Sequence, residues 1–325
     1  MRRLTTFFLL IAVFVPAFMG IAFSADSIKI AMGYIPNVQF APYYIADQKG
    51  YFRDENLNVS FDYGMSTDII TLVASRQIDF GVSDGDQVII AREKGIPVKV
   101  VYSMYVRYPV GIVSLKEKGI KNTADLKGRS IGLPGPYGSS YIGLQMLLSH
   151  AGIGPGEVDI KYIGYTQVES LLAGRVDAAV VYVNNEAVVL RDMGYSVNLI
   201  EAYRITPMVS AAIIASDSLI RSRPDLVRRF VHAVVQASEF ALNNKDQVME
   251  LLKRSIPTLT DENMDINKKV LMESMKLWQD TDIEGNGLGY TTREDWQKSI
   301  DQLLQLGLIR KKIRPEECYT DRFLR

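Results

Sequence analysis

The chain has 325 residues, 47% of them hydrophobic, and its 37 basic and 37 acidic side chains cancel to a formal charge of zero. Charges so evenly scattered argue against a surface that tracks nucleic-acid phosphates, and the single cysteine, Cys318, excludes an internal disulfide framework and leaves stability to the core. The two histidines, His150 and His232, lie in helical patterns without a ligand-spaced partner, so a histidine metal centre is not expected.

In chain order, Arg2 and Arg3 precede an apolar run, Phe7 to Met19, that ends in Ala22-Phe23-Ser24. This is the pattern of a secretory signal, residues 1–24, cut before Ala25. Its loss leaves a chain near −2 in net charge. Short β-rich runs then alternate with amphipathic helical stretches: IKIAM and APYYIADQKG, VSFDYG and TDIITLVASRQ, DFGVS and QVIIAREKG, VKVVYSMY, GIVSL. Such alternation predicts an α/β fold on parallel strands. Pro42 suits the first turn of a helix that Gly50 closes.

The same order restarts at RSIGLPG. Leu72 to Gly95 and Leu171 to Gly194 share a helix end, a turn at Arg or a small residue, an Asp-led strand, a polar loop and a second helix closed by Gly. One lobe thus reads as built twice. After residue 205 longer helices take over. Pro224 opens one whose Leu226, Phe230, Val234 and Phe240 share a face, and Thr292 to Asp295 reads as a capping box. Short crossings between lobes are expected near Tyr105 to Gly111 and Tyr203 to Val209.

In an open α/β sheet, ligands bind beyond the carboxyl ends of strands. The unusual polar and aromatic clusters fall there. They are Tyr34, Asn37, Gln39, Phe40 and Tyr43 after the first strand; Tyr63 and Met65 after the second; and Ser83, Asp84 and Asp86 after the third, where either aspartate could also cap a helix. In the second half they are the glycine-rich turn with Tyr137, Gly138, Ser139, Ser140 and Tyr141; then Tyr165 and Gln167; then Tyr182, Asn184, Asn185 and Glu186. Tyr105, Arg107 and Tyr108 lie in the first crossing. The glycine-rich turn lacks the Lys and the spacing of a nucleoside-triphosphate loop. Recurrent tyrosine suits a flat ligand with its own polar atoms, because the ring offers stacking area and a hydroxyl.

As a set, PNVQFAPYYIADQKGYF, LVASRQIDFGVSDGDQV, KEKGIKNTADLKGRSIGLPGPYGSSY and LLAGRVDAAVVYVNNE resemble the periplasmic solute-binding proteins of ABC importers. The branch is the one that includes nitrate, sulfonate, taurine and thiamine-pyrimidine-precursor binders. GYIPNVQFAPYYIA, DYGMSTD, GDQVIIAREKGIPV and IGLPGPYGSSYIGL look most like its riboflavin-binding members. The resemblance implies a type II periplasmic-binding-protein fold. Residues 25–108 and 207–325 would form a discontinuous first lobe and residues 109–206 a second, with the ligand cleft between them. It also implies an extracytoplasmic monomer that closes on a small molecule and delivers it to a membrane permease with its ATPase, with no cofactor and no nucleic acid.

For riboflavin, tyrosines would sandwich the ring, Asn37, Asn184 or helix-start N–H groups would bond its edge, and Ser or Asp side chains would take the ribityl hydroxyls. For an aminopyrimidine, Glu186 would pair with the exocyclic amine. For nitrate or a sulfonate, N–H groups and Arg107 would hold the anion. The pyrimidine synthase on this fold carries a cysteine-rich segment and an active-site histidine. Neither is present, and no nucleophile–base set emerges, so a binding protein is expected rather than an exported enzyme.

Overall fold

The structure is a computed structural model that describes residues 24–63, 68–279 and 287–324. Residues 1–23 of the expected signal and residue Met65 lie outside the described residues.

Among the described residues, ten strands form two five-stranded sheets. The first lobe holds β1 (Asp26–Ala31), β2 (Leu57–Asp62), β3 (Phe80–Asp84) and β4 (Val98–Ser103), and the second holds β5 (Val110–Leu115), β6 (Ser130–Leu133), β7 (Asp159–Tyr162), β8 (Ala178–Tyr182) and β9 (Val197–Glu201). The last strand, β10 (Ala211–Ser216), returns to the first sheet. The orders are β2-β1-β3-β10-β4 and β7-β6-β8-β5-β9.

Neither sheet is wholly parallel, in contrast to the expectation from strand–helix alternation. β10 runs antiparallel to β3 and β4, and β5 runs antiparallel to β8 and β9. The reason is connectivity. These two strands arrive directly from the other sheet, through residues 104–109 and 202–210, without the helical crossover that makes successive strands parallel.

Helices cover both sheets. Those of the first half are α1 (Ala41–Gln48), α2 (Tyr51–Asp54), α3 (Ile69–Ala74) and α4 (Gly85–Glu93); those of the second are α5 (Gly138–His150), α6 (Gln167–Leu172) and α7 (Glu186–Asp192). Pro42 lies in the first turn of α1, and Gly50, with φ of 82°, turns the chain out of it.

The duplicated unit is visible as α3-β3-α4 and α6-β8-α7, with β3 and β8 central in their sheets. Its details repeat. Asp79 accepts from the Lys29 amide at 2.9 Å, and Asp177 accepts from the Ser130 amide at 3.0 Å. Both leading helices end through a left-handed residue, Arg76 in one half and Gly174 in the other.

The rest of the chain packs on the first lobe. It comprises α8 (Asp217–Ser222), α9 (Pro224–Asn243), α10 (Lys245–Ser255), α11 (Met264–Trp278), α12 (Arg293–Gln305) and α13 (Pro315–Cys318). Pro224 starts α9, whose Leu226, Phe230 and Val234 are buried as the periodicity predicts. Phe230 stacks on Phe80 at 4.1 Å and on Phe52 at 5.4 Å between ring centroids, which fixes α9 against the sheet. Thr292 caps α12 by accepting from the Asp295 amide at 3.0 Å.

Candidate ligand cleft

The carboxyl ends of β1, β3, β6 and β8 converge on a cavity of about 590 Å³ between the lobes. Of the residues singled out in the sequence, Gln39, Phe40, Ser83, Asp84 and Tyr105 line it from the first lobe and its crossing. Tyr137, Gly138, Ser139, Ser140, Tyr165, Gln167, Tyr182, Asn185 and Glu186 line it from the second. Tyr34 is also on the wall, and its ring meets Tyr165 edge-on across the cleft at 5.4 Å. At the mouth, Tyr137 and Tyr165 are each about half exposed, 52% and 50%.

The remaining predicted residues do other work. Asn37 is off the wall because it caps the short turn Val38–Phe40. Its Oδ1 accepts from the Gln39 amide at 3.0 Å and from Gln39 Nε2 at 3.1 Å, which orients Gln39 instead of a ligand. Tyr43 points into the first-lobe core, where its hydroxyl reaches Met104 Sδ at 3.6 Å. Tyr63 donates to the Tyr44 hydroxyl at 3.0 Å, away from the cavity. The Arg107 guanidinium lies over the Tyr203 ring at 5.6 Å, and Tyr141, on α5, packs half-buried against the hydrophobic core; neither lines the cavity.

Asp84 holds the cap position of α4, but its side chain makes no capping bond. Its Oδ2 instead accepts from the Tyr182 hydroxyl of the second lobe at 3.0 Å. Asp86 lies behind the wall, fully buried, where Oδ1 accepts from Ser139 Oγ at 2.7 Å and from Gln87 Nε2 at 3.2 Å. The buried Tyr108 hydroxyl sits 2.8 Å from Asp86 Oδ2 and 2.7 Å from the Ser139 carbonyl oxygen. The expectation that these aspartates serve as caps is thus replaced by a network joining both lobes and the crossing.

Asn184 is a second joint. It is 1% exposed, and its Nδ2 donates to Gln39 Oε1 at 2.9 Å and Ser274 Oγ at 2.8 Å, with the Tyr105 hydroxyl at 3.4 Å. Both close partners belong to the first lobe, Gln39 before α1 and Ser274 on α11. Asn184 is therefore spent on holding the lobes together and does not line the cavity.

Burial dominates the electrostatics. It raises the Asp84 carboxyl against the hydrogen bonds from Ser139 and Tyr182, and it raises Asp86, helped by the charge of Asp84. Glu186 is pushed up to about 7, again by burial, although the Tyr182 amide at 3.0 Å and Asn185 Nδ2 at 3.2 Å stabilise its charge. Tyr34 is pushed up to about 12, by burial first and then by Glu186. The charged wall residues are Asp68, Asp84, Glu186 and Lys94, so among the described residues carboxylates outnumber cations there.

The sequence did not mark the part of the wall made by Met32, Met104, Ile69, Ile70, Ile90 and Lys94. The helix residues among these carry the same apolar spacing as core positions. Gly33 did carry a signal: a glycine follows two residues after the first strand, and its φ of 73° places it where a Cβ would meet Ile69 Cδ1 at 3.0 Å.

Comparison with known proteins agrees with this geometry. Residues 37–248 match the NMT1/THI5-like family model. The riboflavin-binding protein RibY of Chloroflexus aurantiacus is 33% identical over 302 residues, 92% of this chain and 86% of its own. The formylaminopyrimidine-binding protein of Halalkalibacterium halodurans is 26% identical over 91% of this chain and 90% of its own. Among solved structures, the periplasmic aliphatic sulphonate-binding protein SsuA of Escherichia coli superposes with a TM-score of 0.70 at 15% identity, covering 90% of this chain and 92% of that one. With its two α/β lobes and the cleft between them, the chain has the periplasmic-binding-protein fold and belongs to the NMT1/THI5-like family.

Proposed function

We propose that the protein is the extracytoplasmic solute-binding component of an ABC importer, that its lobes close on riboflavin, and that it hands the ligand to a membrane permease as a monomer. The observation that carries this reading is the chemistry of the wall. Tyr34, Tyr105, Tyr137, Tyr165 and Tyr182 supply ring faces and hydroxyls, while Asp84, Glu186, Gln39, Gln167 and the serines supply polar atoms. A cavity of about 590 Å³ lies within the ~300–1,000 Å³ typical of sites for drug-sized ligands. Three fused rings with a five-carbon hydroxylated chain suit that space; a single aminopyrimidine ring would leave most of it to water.

An anion is less well served. Arg107, the expected anion ligand, does not line the cavity, and Lys94 sits at the α4 edge beside Ile90 and Ile96. The histidine-dependent route of the pyrimidine synthase is less well served too, since no histidine lines the cavity among the described residues. The second reading, an aminopyrimidine, draws on Glu186, a half-buried carboxylate on the cavity wall placed to accept from an exocyclic amine.

Closure would follow from contacts that exist only when both lobes touch the ligand. The test is a fluorescence titration of the purified protein with riboflavin, expected to show saturable quenching of the flavin. Absence of quenching, together with a thermal shift on adding an aminopyrimidine, would select the second reading.

A further inference from the structure

We propose that the cleft selects the uncharged, hydroxyl-bearing form of its ligand and rejects the same molecule as a phosphate ester. This rests on the reading of the cleft as a riboflavin site and sharpens it to charge.

The first support is what occupies the anion-binding end of a helix. The thirteen-residue α5 points its N-terminus at the cavity, with Gly138, Ser139 and Ser140 on the wall and no side-chain cap from Tyr137. Such an end would ordinarily welcome a ligand anion. Here the chain supplies its own: the buried Asp86 takes the Ser139 hydroxyl at 2.7 Å, with Asp84 beside it. A phosphate brought to this end would meet two carboxylates already in place.

The second support is the direction of the hydrogen bonds on offer. Ionised carboxylates only accept. Asp84 Oδ2 has one donor, the Tyr182 hydroxyl, and Asp84 Oδ1 has none. Glu186 faces the same cavity from the opposite lobe. A ligand hydroxyl can donate to the Glu186 carboxylate on the wall, and to the buried Asp84 Oδ1 where a shift of the wall uncovers it. The phosphate group of an ester carries roughly −1.5 to −2 charges and acceptor oxygens, so in place of the hydroxyl it esterifies it removes one donor and adds repulsion toward the carboxylates. Lys94 is the single cation among the described wall residues, and it is not at the α5 end.

The test uses the purified protein at pH 8, where Glu186, with its carboxyl near 7, is ionised. Quenching titrations with riboflavin and with riboflavin 5′-phosphate should give affinities differing on the order of 100-fold in favour of riboflavin. The D84N/E186Q double variant should narrow that gap to below ~10-fold, with E186Q alone as the readout if the double variant melts early. Equal affinities in the unaltered protein would overturn the proposal, as would a gap undiminished in a folded variant.

If riboflavin itself fails to bind, the riboflavin reading falls while the charge rule stays open to the same test. A hydroxymethyl aminopyrimidine and its phosphate are then compared, and equal binding of that pair would overturn the rule.

Discussion

Asn184→Ala probes whether the lobes are held by the joint seen in the structure. Asn184 Nδ2 makes two short bonds across the cleft, to Gln39 Oε1 and Ser274 Oγ, from a position that is 1% exposed. A hydrogen bond of this kind contributes about 1 kcal/mol net, so losing both removes ~2 kcal/mol from the contacting state. Two smaller terms oppose each other. Asn184 Oδ1 is buried without a partner, and truncation relieves that burden; truncation also strands Gln39 Oε1. Ser274 keeps its bond to the Val270 carbonyl at 2.8 Å and is little affected. When the lobes separate, water reaches all these groups, so the cost falls on the closed state alone.

If ligand binding is linked to closure as proposed, weakening the closed state by ~2 kcal/mol should raise the apparent Kd by about 30-fold. The assay is flavin quenching on the variant, alongside urea unfolding to show that neither lobe has been lost. Ser274→Ala and the double variant complete a cycle, and the two effects should be markedly non-additive because one bond is shared. Unchanged affinity in Asn184→Ala, or strict additivity in the cycle, would refute the view that this joint holds the closed state.

Tyr137→Ala and Tyr165→Ala each remove a half-exposed ring at the mouth; a stacking contact of ~0.5–1.5 kcal/mol plus lost apolar area predicts over tenfold weaker riboflavin binding, and full affinity in both would remove the rings from the site. Glu186 has its carboxyl raised from 4.5 to about 7, so between those values the folded protein holds a proton that the unfolded chain has released. Its contribution to stability is therefore fully present below about pH 4.5 and is lost as pH rises through 7. Melting curves of the unliganded protein against Glu186→Gln should show the unaltered chain losing ground to the variant across that window, and parallel curves would contradict the burial of this group. Arg92 grips Asp217 through two bonds, 2.9 and 2.6 Å, with both side chains largely buried. Asp217→Ala should lower unfolding free energy by about 2–3 kcal/mol by leaving a guanidinium unpaired, with ligand affinity unchanged because the pair lies outside the cavity wall; a loss in affinity without a loss in stability would be the contrary result.

Much of the cleft was legible because parallel strands deliver their carboxyl ends to one place. Once IKIAM, DFGVS, RSIGL and VDAAVVY read as strands, the residues just after them had to meet, and Ser83, Asp84, Tyr137 and Glu186 do. What could not be read was rotational phase. Tyr43 and Tyr44 follow one another on α1, and the docking of that helix buries both in the first-lobe core, so neither reaches the cavity wall. Asn37 was ambiguous for another reason: an amide before a helical turn serves equally as a cap or as a ligand donor, and the choice depends on where Gln39 needs support. Strand direction was also hidden, since nothing in the composition of AAIIAS says that β10 enters from the opposite lobe and runs antiparallel.

The duplication explains why the carboxylates of the two halves face each other. β3 leads into α4 through Asp84 and Asp86, and β8 leads into α7 through Glu186, the same junction in each copy. Bringing two such junctions together concentrates acid groups in a space shielded from water, which by itself opposes closure. The hydroxyls of Tyr182, Ser139 and Tyr108 offset part of that cost by donating into the aspartate pair, and the raised pKa values of Asp84, Asp86 and Glu186 offset another part by favouring protonation. Asp84 Oδ1 still lacks a donor. On the proposed reading, a guest with several hydroxyls would donate to the carboxyl groups of both junctions at once, and the repulsion that makes the empty closed state costly would couple closure to a ligand of that kind.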